Sequence, residues 1–350
     1  MIHVGIDLHH KNSYVRAIDD QGRLYPGQRI YHTDIEKLWQ YFGQFGQTAK
    51  RVVFEATANA RWMERLLKAD PSIKPVAVTP HKVRIIAETV AKTDKIDATV
   101  LATLSKMDAL PRAWLPDAQV EHLRELIRYR SSLVYMRTRA KNKINGVLVR
   151  DGLVRPYGDM FGVFGRKWLG EIDLPEAMRL QVDGWLATID HLNKKILQVE
   201  RQLYRQLARS DRWREDVDIL VTMPGWGQLT TLTVLAELGD YRRFKNRASV
   251  SCFAGLVPSS KRSDKSSRYG HITKRGSTEL RRILVEVAIN ATRKVPRYGK
   301  LYARLKKERG GNVAKTAVAR QMLEDGWTML MKREPFRHKP VQVETLMRVG

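Results

Sequence analysis

Apolar positions along the first hundred residues fall into short runs broken by turns. Residues 2–8, IHVGIDL, form a near-continuous apolar run of the kind a buried strand shows. Residues 13–19, SYVRAID, are rich in β-formers, Asp20-Gln21-Gly22 makes a turn, and residues 23–31 return as a third strand, so 1–31 reads as a meander. Thr33 and Asp34 are placed to cap a helix running to residue 44. A fourth strand follows at 51–55 (RVVFE), a helix at 59–69, a fifth strand at 74–79, and helices at 80–90 and 94–106. Three strands followed by alternating helix and strand predict an α/β domain of mixed strand order over residues 1–110.

Pro111 and Pro116 punctuate the end of that pattern, and the period becomes helical. Leu123, Leu126, Ile127, Leu133, Val134, Ala140, Ile144, Val147 and Leu148 recur at helical spacing. From Arg124 to Arg150 there are eight Lys or Arg and one acid, Glu125, so this helix carries a basic face. Val182, Ile189, Ile196 and Leu203 fall seven apart, with Trp185, Leu192 and Val199 filling a second seam. That heptad predicts a coiled coil, as an internal hairpin or a dimer seam. Residues 111–212 thus read as a helical middle region and 213–350 as a mainly α-helical third part. There Met223-Pro224-Gly225-Trp226-Gly227 makes a turn between helices, and Leu220 to Leu238 resembles a helix–hairpin–helix whose turn amides can face a phosphate.

Charge changes the picture most. The chain has 350 residues and a net charge of +26, which points to a polyanionic partner, nucleic acid before an anionic membrane. One cysteine, Cys252, excludes an internal disulfide framework and a Cys-cluster zinc site. The N-terminus is too short and polar for a signal segment and no apolar run approaches a membrane span, so a cytoplasmic protein is expected.

Four carboxylates stand out by position. Asp7 ends the first strand, Glu55 ends the fourth, and Asp94 and Asp97 sit i, i+3 at the start of a helix. Carboxylates at strand ends of an α/β sheet lie where such folds place ligands. A set of four can hold hard divalent cations, and two such ions can clamp the attacking and leaving oxygens of phosphoryl transfer. Singly, each has an ordinary structural explanation: Asp94 as a helix cap, Asp97 as an acid near the positive end of the helix dipole.

The motifs GIDLHHK (5–11), EAT (55–57) and KTDKIDA (92–98) resemble the three N-terminal motifs of the DEDD-type insertion-sequence transposases, the family that includes the Piv DNA invertase. MPGWG (223–227), ELGDYRRF (237–244), FAGLVPS (253–259) and GHITKRGSTELRR (270–282) resemble that family's second conserved domain. Two departures are visible: Ala58-Asn59 follow the EAT where the family more often has Gly, and Asp264 follows Ser263 where Gly is common.

The resemblance implies an α/β RuvC-like, ribonuclease-H-type N-terminal domain in which Asp7, Glu55, Asp94 and Asp97 bind magnesium. It implies a serine nucleophile a few residues beyond Gly255-Leu256-Val257-Pro258; Ser263 matches by spacing, with Ser259, Ser260, Ser266 and Ser267 as rivals. It implies donor and target DNA as substrates, a structured guide RNA that bridges them, and homodimers or homotetramers. Arg262, Lys265 and Arg268 flank the serine, and Arg128, Arg137, Lys141, Lys274 and Arg275 are further candidates for nucleic-acid contact. A hydrolytic nuclease of the Holliday-junction-resolvase type and a non-catalytic RNA-binding protein are the competing readings.

Overall fold

The computed structural model describes residues 1–86, 93–209, 211–263 and 266–337, and the backbone alone at 208–209, 211, 260–263 and 266–269. These residues form two compact units, divided between Pro116 and Asp117. The boundary expected at 212/213 falls inside the second unit.

The first unit is built on a five-stranded sheet: β1 (Ile2–Leu8), β2 (Asn12–Asp19), β3 (Gln28–Tyr31), β4 (Lys50–Glu55) and β5 (Ile73–Val78), in the order β3-β2-β1-β4-β5. β1, β2 and β3 pair antiparallel as the expected meander, and β1, β4 and β5 run parallel. The third strand begins later than the apolar run suggested. Leu24 makes only an isolated bridge to Ile18, because Pro26, which has no N–H to donate, interrupts the ladder. Helix α1 (Glu36–Gly43) has Ile35 at its N-cap in place of Thr33 or Asp34; Asp34 instead pairs with Lys37 at 2.6 Å.

Alternation along the strands sorts the two faces. Ile2, Val4, Ile6, Leu8, Val52 and Phe54 point into a core closed by α1 and by α2 (Ala60–Leu67) through Leu38, Phe42, Met63 and Leu67. Val53, Val76 and Val78 point the other way and pack with Val83 of α3 (Pro80–Ile86) and with Leu101 and Leu104 of α4 (Asp94–Lys106). The last part of the helix expected at 80–90, with Lys92 of the KTDKIDA motif, lies outside the described residues.

The second unit opens with α5 (Ala118–Arg150), whose 33 residues span about 50 Å at 1.5 Å per residue. Asp117 caps it by accepting from Val120 N at 3.0 Å. After α6 (Val163–Glu171), helix α7 (Glu176–Arg209) runs back antiparallel to α5. Arg130 meets Glu200 at 2.7 Å and Arg137 meets Asn193 at 2.8 Å, so positions climb on one helix as they descend on the other. Val182 and Ile189 of the heptad are buried with Ala140, Ile144, Val147 and Leu148 of α5. The seam is therefore filled within the chain, as a helical hairpin.

The rest of the unit comprises α8 (Asp211–Leu220), α9 (Gln228–Leu238), a 3-10 turn at Tyr241–Arg243, α10 (Arg247–Ala254), the antiparallel strands β6 (Pro258–Ser263) and β7 (Ser266–Ile272), and α11 (Thr278–Lys294), α12 (Pro296–Arg309) and α13 (Gly311–Lys332). Helix α9 is buried on every side from Thr230 to Leu238. The turn before it, expected to present its amides, buries Trp226. No helix among the described residues is long and apolar enough to cross a membrane.

Candidate active site

The odd-numbered residues of β1 face α4, and their sizes decide how close the helix comes. His3 Nδ1 lies 2.9 Å from Ser105 Oγ. Gly5 lies under the helix backbone: a Cβ built there would stand 1.9 Å from Ala98 O and 2.8 Å from Ala102 N. Only glycine on the strand and alanines on the helix permit this approach. It brings the first turn of α4, capped by Thr93 through Ile96 N, to the C-terminal end of β1, where Asp7 stands.

Asp7, Asp94 and Asp97 meet there. Burial raises the Asp7 pKa above its ordinary value; the His9 imidazole opposes that rise, and the charges of Asp97 and Asp94 add to it. His9 Nε2 stands 3.0 Å from Asp7 Oδ2 and 3.3 Å from Asp94 Oδ1. The buried Asp7 Oδ2 has no aligned hydrogen-bond donor. The other oxygen of Asp94 accepts from Arg29 Nη2 on β3 at 2.6 Å. Glu55 ends β4 one step beyond the pair Ile6↔Phe54, which places it beside Asp7 and on the same face as Val53, the α4 side.

One ligand atom each from Asp7, His9 and Asp94 lies within 4.8 Å of the others. A buried carboxylate oxygen without a donor, beside further acids, fits a divalent cation. His9, Arg29 and Asn59 were not among the residues expected from sequence. Period-two alternation, which returns position 9 to the face of position 7, was the signal for His9. Asn59, one of the departures noted above, donates from Nδ2 to His9 O at 2.7 Å and so ties the EAT segment to the β1–β2 turn.

A second constellation lies in the second unit. Ser263 and Ser266 form the last pair of the β6–β7 ladder, so the backbone sets Ser263 at the end of its strand. The side chains of Ser260, Arg262, Ser263, Ser266, Ser267 and Arg268, and Lys265 entirely, lie outside the described residues. Ser259 is at the other end, where its hydroxyl donates to His271 O at 3.0 Å. The base of the ladder is fixed by two motif glycines. Gly255 (φ +68°) and Gly276 (φ +125°) cross so closely that a Cβ on the first would lie 2.5 Å from Arg275 O, and on the second 1.9 Å from Phe253 O. Arg281 donates to Ala254 O and Gly276 O at 3.1 and 3.0 Å and holds the crossing. Lys274, with φ +53°, and Arg275 are exposed on this segment.

Residues 4–150 match the family model of the DEDD-type transposases, described as a transposase, and residues 217–303 match the model of the transposase IS116/IS110/IS902 family. The chain belongs to the DEDD-type insertion-sequence transposases. It is 25% identical over 345 residues to the transposase for insertion sequence element IS1111A of Coxiella burnetii, covering 95% of this chain and 91% of the relative. It is 25% identical over 290 residues to the transposase for insertion sequence element IS1328 of Yersinia enterocolitica, covering 81% and 82%. The pilin gene-inverting protein of Moraxella bovis is 25% identical over 177 residues, 49% of this chain and 54% of that protein.

Three of the transposase's expected nucleic-acid residues have partners inside the protein. Arg128 donates from Nε and Nη2 to the two carboxylate oxygens of Glu237, each at 3.2 Å, and Glu237 is buried at the end of α9. Arg124 completes that clamp by donating to Ala236 O and Glu237 O, both at 2.7 Å. Arg137 is the donor to Asn193 already described, and Lys141 sits 4.8 Å above the Phe161 ring, where burial lowers its ammonium pKa. The exposed cations of α5 include Arg139, Lys143 and Arg150.

Proposed function

We propose that this transposase cuts and rejoins the DNA strands of its insertion sequence through a covalent phosphoserine link, assisted by the Asp7, Glu55, Asp94 and Asp97 carboxylates. The observation that carries this reading is the meeting of Asp7, Asp94 and Asp97 beneath the close Gly5–α4 contact, with Glu55 on the adjacent strand. The strand order β3-β2-β1-β4-β5 suits a ribonuclease-H-type, RuvC-like domain.

The four carboxylates would hold a divalent ion, magnesium by resemblance, whose charge favours phosphoryl transfer when bound. Arg29 fixes the plane of the Asp94 carboxylate, and Gly5 and the two alanines hold the acids on α4 against Asp7. Ser263 supplies the attacking oxygen: a serine–phosphorus bond forms as the bond to the 3′ oxygen breaks, and the serine proton leaves with solvent or base. Attack by the freed strand end reverses the link, so bond energy is conserved and no nucleotide cofactor is required. Arg262, Lys265, Arg268, Lys274 and Arg275 would hold phosphate oxygens along the strand.

The net charge of +26 supports two polyanionic partners, donor and target DNA and a structured RNA whose pairing selects sites. The assembly would be a homodimer or homotetramer in the cytoplasm, with residues 117–212 and 213–350 as functional regions of the second compact unit. The test is a denaturing gel of protein with DNA and guide RNA. A protein–DNA adduct that EDTA abolishes is expected. Strand cleavage without an adduct would favour the hydrolytic nuclease, and nucleic-acid binding without cleavage the non-catalytic reading.

A further inference from the structure

The spacing around His9 is that of ligands sharing one ion. Two ligands about 2.1 Å from a metal and at right angles stand about 3.0 Å apart. His9 Nε2 is 3.0 Å from Asp7 Oδ2 and 3.3 Å from Asp94 Oδ1. An ion pair would satisfy those distances too, but it would align the imidazole with an oxygen, and Asp7 Oδ2 has no aligned donor. The three atoms lie within 4.8 Å of one another, close enough to share one ion.

The surroundings hold His9 in place by contacts unrelated to charge pairing with the acids. His9 N donates to Asn12 O at 3.0 Å across the turn, and His9 O accepts from Asn59 Nδ2 at 2.7 Å. Asn59 is itself oriented by Thr57 Oγ1, which donates to Asn59 Oδ1 at 3.0 Å. Asp94 is divided in the same manner, one oxygen on Arg29 and the other toward His9. These contacts fix the His9 backbone, and Arg29 orients the Asp94 carboxylate.

We infer that His9 Nε2 is a nitrogen ligand to the ion that the proposed reading places between Asp7 and Asp94, and that the site therefore favours a first-row transition ion such as Mn2+ over Mg2+. Carboxylate and water oxygens serve Mg2+ and Mn2+ alike, whereas imidazole adds affinity for the transition ion. The four carboxylates alone would not make that distinction.

The experiment is Mn2+ titration of the EDTA-stripped, full-length protein, followed by pulsed electron paramagnetic resonance for 14N coupling to the bound ion. A 14N coupling in the wild type that disappears in His9→Ala is expected. So is an Mn2+ affinity that falls about tenfold or more in that variant while Mg2+ affinity stays within about threefold. His9→Gln keeps the side-chain volume and should lose the coupling as well, which separates ligation from folding. Bound Mn2+ without 14N coupling would overturn the assignment of His9 and leave the carboxylate reading standing. An Mn2+ isotherm unchanged by Asp7→Asn would overturn both, because the ion would then not be at this site.

Discussion

Gly5→Ala should separate the acids without touching any of them. The added Cβ would lie 1.9 Å from Ala98 O, and real Cβ contacts essentially never fall below 3.0 Å, so strand and helix must part by about 1.1 Å. The obstacle is backbone, so trimming the Ala98 side chain gives no relief. Asp94 precedes Ala98 by one turn on α4 and Asp97 by one residue, so both move with it, away from Asp7. A misplacement of about 1 Å in a catalytic constellation costs about 100-fold in rate, and overpacking of this kind costs about 1–3 kcal/mol of stability. For a unit of this size that is a fall of several degrees in melting temperature. Single-turnover cleavage of a DNA substrate, read beside a thermal melt, measures both effects. A Gly5→Ala protein that cuts within about threefold of wild type would refute the reasoning, since α4 would then not depend on Gly5 to position its acids.

Three further outcomes are expected. Ser263→Ala should lose cleavage and the covalent adduct yet still bind nucleic acid, whereas Ser259→Ala, whose hydroxyl is committed to His271 O, keeps the adduct; mass spectrometry of the trapped peptide identifies the serine. Burial raises the folded-state pKa of Asp7, so as pH rises the unfolded chain gives up that proton first and ionisation weighs against folding; in metal-free buffer Asp7→Asn should therefore melt above wild type near pH 7, with the gap closing below about pH 4, as calorimetry over that range would show. Nucleic-acid affinity should fall with salt at about 0.9 per phosphate neutralised on duplex DNA, and Arg128→Ala, bound to Glu237, should destabilise the protein more than it changes that slope in a filter-binding series.

What could be read from the chain and what could not divides along a physical line. Strands β1, β4 and β5 were legible because burial on both faces leaves apolar runs, and α4 because Thr93, Asp94 and Asp97 form a helix start. The heptad of α7 was legible as a seam, but not its partner, since a repeat states that a face is covered and not by what. The internal partner of Arg128 on the basic face of α5 was hidden for the same reason. Glu237 lies far along the chain from Arg128, and nothing local shows that a charge on one helix is spent on a buried acid of another. The β6–β7 pair escaped notice because its Ser, Lys and Arg residues show no alternation of apolar and polar positions. Of the carboxylate site, all four acids were visible as types at element ends. Arg29 and Asn59 were not, because each acts across a turn or between strands, and His9 was visible only through its spacing from Asp7.

The crossing of Gly255 and Gly276 also governs how this region can change over generations. Each glycine fills a space that admits no side chain, so the two points are pinned together, and the chain between them is a closed circuit of fixed footing. Insertions or deletions near either foot would push one glycine out of the crossing. Changes are tolerated better at the far end, where added residues extend the ladder, which already accommodates a register shift between Pro258 and Ser260. Length variation among descendants of this gene is thereby channelled into the stretch that carries Ser263 and its cationic neighbours, whose reach can lengthen or shorten while its root stays where it is.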